Sequence, residues 1–134
     1  MPDREDILDR IISARKKDLE RLGTSFACTL PLQRQRPVQP FLAVKGAILE
    51  IKRASPSRGD IAADLDPAKL VQEYAAAGAQ NVSVLTERRF FKGSLEDLLA
   101  ASRAAPRLSF LRKDFLLLPE EIEVSYRAGA DAVL

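Results

Sequence analysis

The stretch Ala77-Gly78-Ala79-Gln80-Asn81-Val82 returns further along the chain as Ala128-Gly129-Ala130-Asp131-Ala132-Val133. In each copy a helical pattern stops at a glycine, which can end a helix in the left-handed conformation. The alanines beside it let that helix lie close to the strand that follows. Each copy therefore reads as the junction of a helix with a parallel strand. Two such junctions, two units apart, favour a (βα)n barrel or a doubly wound sheet over an irregular α+β arrangement.

Working outward, short β-like runs alternate with helical patterns from residue 46 onward, and strands are expected at 47–52, 81–86, 108–113 and 131–134. The helix between the first two opens with Asp66-Pro67, an N-cap followed by proline at the first helical position. It closes at Gly78, with Leu70, Val71 and Tyr74 as its buried stripe. The next helix starts at Ser94, where Asp97 completes an approximate capping box and Leu95, Leu98 and Leu99 face inward. A third runs from near Pro119 to Gly129.

Upstream, Ile7, Leu8, Ile11, Ile12, Leu19 and Leu22 recur at helical spacing within residues 4–22, and Gly23 stops the pattern. Residues 24–45 carry Pro31, Pro37 and Pro40 and read as an irregular connection. The expected organisation is an N-terminal extension over residues 1–45 and the first half of a barrel over 46–134, ending in strand 4. Arg15-Lys16-Lys17, Arg34 and Arg36 are expected on a solvated face rather than on a polyanion. The last residues, Ala132-Val133-Leu134, read as the inside of a buried parallel strand. A complete eight-fold barrel needs about 250 residues, so a truncated half barrel of about four parallel strands is expected.

Composition narrows the function. At 46% apolar and 30% charged residues the chain has the make-up of a folded domain, and no stretch has the roughly 20 apolar residues of a membrane span. Residues 1–6 lack a basic segment followed by an apolar core, so a cytoplasmic address is expected by default. Cys28 has no second cysteine to pair with and is read as a small semi-buried apolar residue. The absence of histidine disfavours zinc chemistry and serine-histidine-aspartate catalysis. A net charge of +2 is too mild to point to nucleic acid, and no glycine-rich nucleotide-binding run occurs. Asn81-Val82-Ser83 fits the glycosylation pattern but falls in an expected buried strand and is set aside.

Chemistry concentrates at strand ends. With side chains alternating along a strand, Ile48, Glu50 and Lys52 share one face, and Lys113 has the parity of Ser109 and Leu111. Active sites of (βα)8 barrels lie where the C-terminal ends of the strands converge. Glu50, Lys52 and Lys113 thus make a candidate site for acid-base work on an anionic small molecule. The plain reading is a surface ion pair between Glu50 and Lys52 with Lys113 a solvated strand end.

Three motifs carry a family resemblance. Glu50-Ile51-Lys52-Arg53-Ala54-Ser55-Pro56-Ser57 with Gly59, Ile61 and Asp66-Pro67 resembles the first-strand signature of indole-3-glycerol-phosphate synthases. Ser83-Val84-Leu85-Thr86 with Phe90-Phe91-Lys92-Gly93-Ser94, and Leu111-Arg112-Lys113-Asp114-Phe115, resemble the next two. The resemblance implies a lyase of tryptophan biosynthesis on a TIM barrel. It closes the indole ring of 1-(2-carboxyphenylamino)-1-deoxyribulose 5-phosphate with loss of carbon dioxide and water, and uses no metal or organic cofactor. It further implies Lys113 as general acid toward the substrate carbonyl, Glu50 as organiser of the lysines, and Lys52 as partner of the substrate carboxylate. Ser55 is implied on the phosphate side and Phe91 and Phe115 against the anthranilate ring, although both aromatics also suit plain core.

The expected partner is a phosphorylated small molecule, with neither nucleic acid nor membrane. The family has a further catalytic glutamate and most of its phosphate grip in later loops. The isolated chain is therefore expected to be inactive, and either to self-associate or to need its complementary half. The competing readings are a non-catalytic half-barrel folding or assembly fragment, and another phosphate-binding barrel enzyme such as phosphoribosylanthranilate isomerase.

Overall fold

The computed structural model describes residues 6–134. The segment 1–5, which bears on the expected helix start at residue 4 and on the signal reading, lies outside them. Helix α1 (Ile7–Leu22) leads through an irregular stretch to strand β1 (Ile48–Ile51) and a small hairpin, β2 (Ala54–Ser55) with β3 (Gly59–Asp60). Then come α2 (Pro67–Ala76), β4 (Asn81–Leu85), α3 (Leu95–Ala104), β5 (Ser109–Lys113), α4 (Glu120–Arg127) and β6 (Ala132–Val133).

The four expected parallel strands are present and form one open sheet in the order β1-β4-β5-β6, each pair joined through a helix. No partner covers the outer edges of β1 and β6 among the described residues. The strands are one or two residues shorter than expected, because flanking residues leave the ladder. Among the described residues no helix is long and apolar enough to cross a membrane.

Both repeated junctions end their helices in the same way. Gly78 and Gly129 sit at φ +92° and +102°. The alanine after each glycine donates its N–H back to Tyr74 or Ser125 at 3.0 Å, which satisfies carbonyls left over at the helix end. Asp66 caps α2 by accepting from Ala68 and Lys69 N–H, and Ser94 caps α3 by accepting from Asp97 N–H at 3.1 Å. The box at Ser94 is only half formed. The Asp97 carboxylate turns to Arg53 instead, where two guanidinium bonds of 3.0 and 2.9 Å outweigh one backbone N–H.

One sheet face packs on the helices, where Ile51, Val82, Val84 and Phe110 join Val71, Leu98 and Val124 in the core. Leu70 and Tyr74 flank it, half-buried, and Leu95 and Leu99 are buried as expected. Cys28 lies in this core, and burial together with the Glu96 carboxylate pushes its thiol up to about 11. The opposite face carries Glu50, Ser83, Leu85 and Lys113. The register sets Glu50 opposite Ser83 and Leu85 opposite Lys113.

The expected solvated arginine face is corrected, because only Lys16 and Lys17 of that group are exposed. The stripe that α1 buries is Ile11, Arg15 and Asp18, while Ile7 and Leu8 are exposed. The helix docks on charged loops, so its contact stripe is ionic. Arg34 and Arg36 close on Asp131 at 2.6 and 2.8 Å, with all three side chains nearly inaccessible. Asp131 also accepts from Gln39 and Phe110 N–H, which straps the irregular stretch across the base of β5 and β6. Asn81 is buried and bonded to the backbone of Leu42 and Val44.

Candidate active site

The C-terminal ends of β1 and β5, on either side of β4, bring three expected head groups together. Lys113 Nζ donates to Glu50 Oε2 at 3.0 Å, and Lys52 Nζ stands 3.6 Å from Glu50 Oε1. The pairing arises from register: Lys113 sits two residues further along its strand than Leu111, the residue level with Glu50, and its long side chain reaches back to the carboxylate. The surface ion pair of Glu50 with Lys52 thus exists, but as one side of a bridge between β1 and β5. Ser83 Oγ donates to Glu50 Oε2 at 3.1 Å from the strand between, so one carboxylate oxygen accepts from both Ser83 and Lys113. Tyr74 of α2 donates its hydroxyl to the Glu50 backbone carbonyl at 2.7 Å and holds the strand from behind.

The aromatic residues stand beside this cluster. Phe91 and Phe115 come from the loops after β4 and β5, with ring centroids 6.3 Å apart and planes tilted by 35°. Lys52 Nζ lies 5.6 Å from the Phe91 centroid, within reach of the ring's negative face. A cavity of about 490 Å³ opens here, lined by Lys113, Phe91, Phe115, Leu85, Ile12 and Leu134 among others. Both rings are half-buried and lie outside the core cluster. An ammonium at an apolar wall can donate to a carbonyl oxygen, and its charge is screened less there than in open water.

Ser55 stands apart. It is buried in β2, its hydroxyl accepts from Arg58 N–H at 3.2 Å, and it lies 3.4 Å from the Ser57 hydroxyl. Its polar capacity serves its own hairpin. That hairpin is tied to the next loop by Lys92 on Asp60 at 2.5 Å, and Arg53 just before it is tied to Asp97 of α3.

Beneath the site runs a buried ionic network absent from the sequence reading. Asp114 follows Lys113 and meets Arg15 of α1 at 2.7 Å and Arg112 at 3.3 Å, and it accepts from the Thr86 hydroxyl at 2.6 Å. Burial alone would raise the Asp114 carboxyl. The bond and charge of Arg15, the charge of Arg112 and the bond from Thr86 together hold it below the usual carboxylate range. Arg15 also contacts Glu121 at 2.7 Å, and the second oxygen of Glu121 caps the N–H groups of Leu117 and Leu118. Asp18 pairs with Arg89 at 2.7 Å, so α1 is fastened to both aromatic-bearing loops. The parity of Ser83 with Leu85 could have signalled its inward aim, whereas nothing in the local pattern links Arg15 to a loop so far along the chain.

The comparisons with known proteins agree with this arrangement. The family model described as indole-3-glycerol phosphate synthase matches residues 8–134. A protein of that name from Desulfosudis oleivorans is 56% identical over 89 residues, covering 66% of this chain and 34% of the relative. Its namesake from Bacillus thuringiensis is 40% identical over 128 residues, covering 96% of this chain and 50% of the relative. The one from Geobacillus kaustophilus is 37% identical over 132 residues, with the same coverage of 96% and 50%. The chain spans about half the length of the curated relatives it matches. With the family model matching nearly the whole chain, and with four parallel strands and their strand-end residues in order, the chain belongs to the indole-3-glycerol phosphate synthase family.

Proposed function

We propose that the complete protein containing this chain converts 1-(2-carboxyphenylamino)-1-deoxyribulose 5-phosphate to indole-3-glycerol phosphate, releasing carbon dioxide and water. The observation that carries this reading is the bridge from Glu50 to Lys113 across three strands, with Lys52 and two phenylalanine rings beside it. Lys113 acts as the general acid: its ammonium gives a proton to the substrate carbonyl oxygen as the carbon-carbon bond forms. Glu50 holds Lys113 and Lys52 in place. Lys52 pairs with the substrate carboxylate, and Phe91 and Phe115 pack on the aryl ring. We assign Ser55 to the phosphate side on family likeness, which requires its hydroxyl to turn away from Arg58 and Ser57. A doubly charged phosphate ester does not cross bilayers freely, and we assign the reaction to the cytoplasm.

For the 134-residue chain alone we propose a different behaviour. The uncovered edges of β1 and β6 leave backbone donors and acceptors unpaired, which favours self-association or pairing with a complementary half barrel. The test is to assay indole-3-glycerol phosphate formation by this chain with and without residues of a relative's second half. Turnover only in the mixture, lost with Lys113→Met, is expected. Equal turnover by the unaided chain would overturn the need for a second half, and none in a well-formed mixture would overturn the synthase reading.

A further inference from the structure

The loop from Thr86 to Ser94 carries Phe91; Asp18 and Asp60 hold its Arg89 and Lys92 side chains from outside, and one carboxylate of its own, Glu87, gathers its backbone. Glu87 is only 4% exposed. Its Oε1 accepts from Arg89 N–H at 2.8 Å, and its Oε2 accepts from Phe90 and Phe91 N–H at 2.7 and 2.9 Å. Its carbonyl accepts from Gly93 N–H at 2.9 Å, so the same residue closes both the inside and the far end of the loop. Among the described residues Glu87 makes no ion pair. Three successive backbone N–H dipoles stabilise its charge, an anion nest with the anion supplied by the chain itself.

The far end of the loop has little freedom to drift. Lys92 sits in the left-handed region at φ +54°, and a Cβ on Gly93 would stand 2.0 Å from the Leu85 carbonyl oxygen. The loop is thus clamped at Gly93 by close approach and at residues 89–91 by Glu87. The Phe91 N–H, held by Glu87, fixes the backbone atom from which the ring projects toward Lys52 and Phe115.

We propose that Glu87 is a positioning residue for the aromatic wall of the site: by gathering the N–H groups of Arg89, Phe90 and Phe91 it sets the slot for the aryl ring of an anthranilate-type substrate. The inference rests on the reading of Phe91 and Phe115 as ring-packing residues. Without the carboxylate, three backbone N–H groups, those of Phe90 and Phe91 half-buried, lose their acceptor and the loop must turn to find water. The Phe91 ring then leaves Phe115. A glutamine at this position keeps one acceptor oxygen for Phe90 and Phe91 but meets Arg89 with an amide rather than an oxygen.

The experiment compares the full chain with Glu87→Gln and Glu87→Ala by NMR and by fluorescence titration with N-methylanthranilate. In Glu87→Ala the amides of Arg89, Phe90 and Phe91 are expected to lose exchange protection and the Phe91–Phe115 ring NOE to vanish. Affinity for the probe should fall about tenfold, as removal of one stacking contact implies. Glu87→Gln is expected to expose Arg89 alone and to recover most of the affinity, and it carries the comparison should the alanine variant fail to fold. An intact ring NOE and intact protection in Glu87→Ala would overturn the proposal. A lost NOE with unchanged affinity would overturn the link from Glu87 to binding. The NOE comparison needs no ligand, so it decides the positioning role even if the original chain ignores the probe, a result that counts against the ring-packing reading alone.

Discussion

Arg15 of α1 lies 2.7 Å from Asp114, the neighbour of Lys113, and both side chains are almost fully buried. A residue from the extension helix therefore holds the strand end that presents the proposed general acid. Arg15 also faces Glu121, and its guanidinium covers the Phe26 ring at 4.7 Å.

Replacing Arg15 with methionine keeps the stem but leaves two buried carboxylates facing each other with Arg112 as their remaining cation. Breaking a buried pair on one side costs on the order of 3–5 kcal/mol. Urea denaturation of Arg15→Met is expected to show a loss of that order, whereas Lys16→Met, on the exposed face, should shift stability by no more than about 0.5 kcal/mol.

Asp114 makes stability depend on pH in the acid range. Its carboxyl is held below its unfolded value of about 3.9, so its contribution is fully present above that pH and is lost as pH falls through the depressed folded value. Asp18 acts in the same direction, chiefly through the bond from Arg89 and against the effect of its burial. Denaturation midpoints measured from pH 5 downward, on the order of three units, should fall less steeply for Asp114→Asn than for the original chain, once its lower starting stability is subtracted.

In a complete barrel containing this chain, Lys113→Met removes the proposed proton donor and should lower kcat about 10²- to 10⁴-fold. Glu50→Gln leaves the donor but loosens its aim, and a loss of up to about 10²-fold is expected. Steady-state assay of indole-3-glycerol phosphate formation separates the two. Equal losses would show that Glu50 does more than orient.

Gly93→Ala cannot be absorbed by a side-chain rotation, because the new methyl would meet the Leu85 backbone carbonyl at 2.0 Å. Overpacking against rigid backbone costs about 1–3 kcal/mol or more. Thermal unfolding of the variant should report it, together with loss of exchange protection at Phe91.

Cys28 is buried and its thiol is pushed up to about 11, first by burial and then by Glu96. Thiolate is the reactive form, so a disulfide reagent at pH 8 should label the folded chain far more slowly than the chain in denaturant. Rapid labelling of the folded chain would contradict the placement of Cys28 in the core.

Much of the fold was legible because it is written in local signals. The Gly78 and Gly129 junctions, the Asp66-Pro67 and Ser94 caps, and the period-two alternation of Glu50 with Lys52 each follow from conformational preference within a few residues. The candidate site was legible in outline for the same reason, since strand parity aims Glu50 and Lys113 at one face. Polar side chains were read less well. Arg15, Arg36 and Asp97 looked like solvent or capping residues, because the sequence gives no sign of which distant acid or base will bury them.

Sequence alone determined the βα alternation, the helix-buried faces and the strand ends that bear Glu50, Lys52 and Lys113, because steric and hydrophobic preferences act between near neighbours. Only the tertiary structure decided that Lys113 reaches Glu50 across an intervening strand, that Glu87 gathers the loop bearing Phe91, and that α1 is fastened by Arg15 and Asp18. Those contacts depend on register and on long-range pairing of buried charges. Their energy depends on the full surroundings, since a charge is tolerated inside a protein only where its partners converge on it.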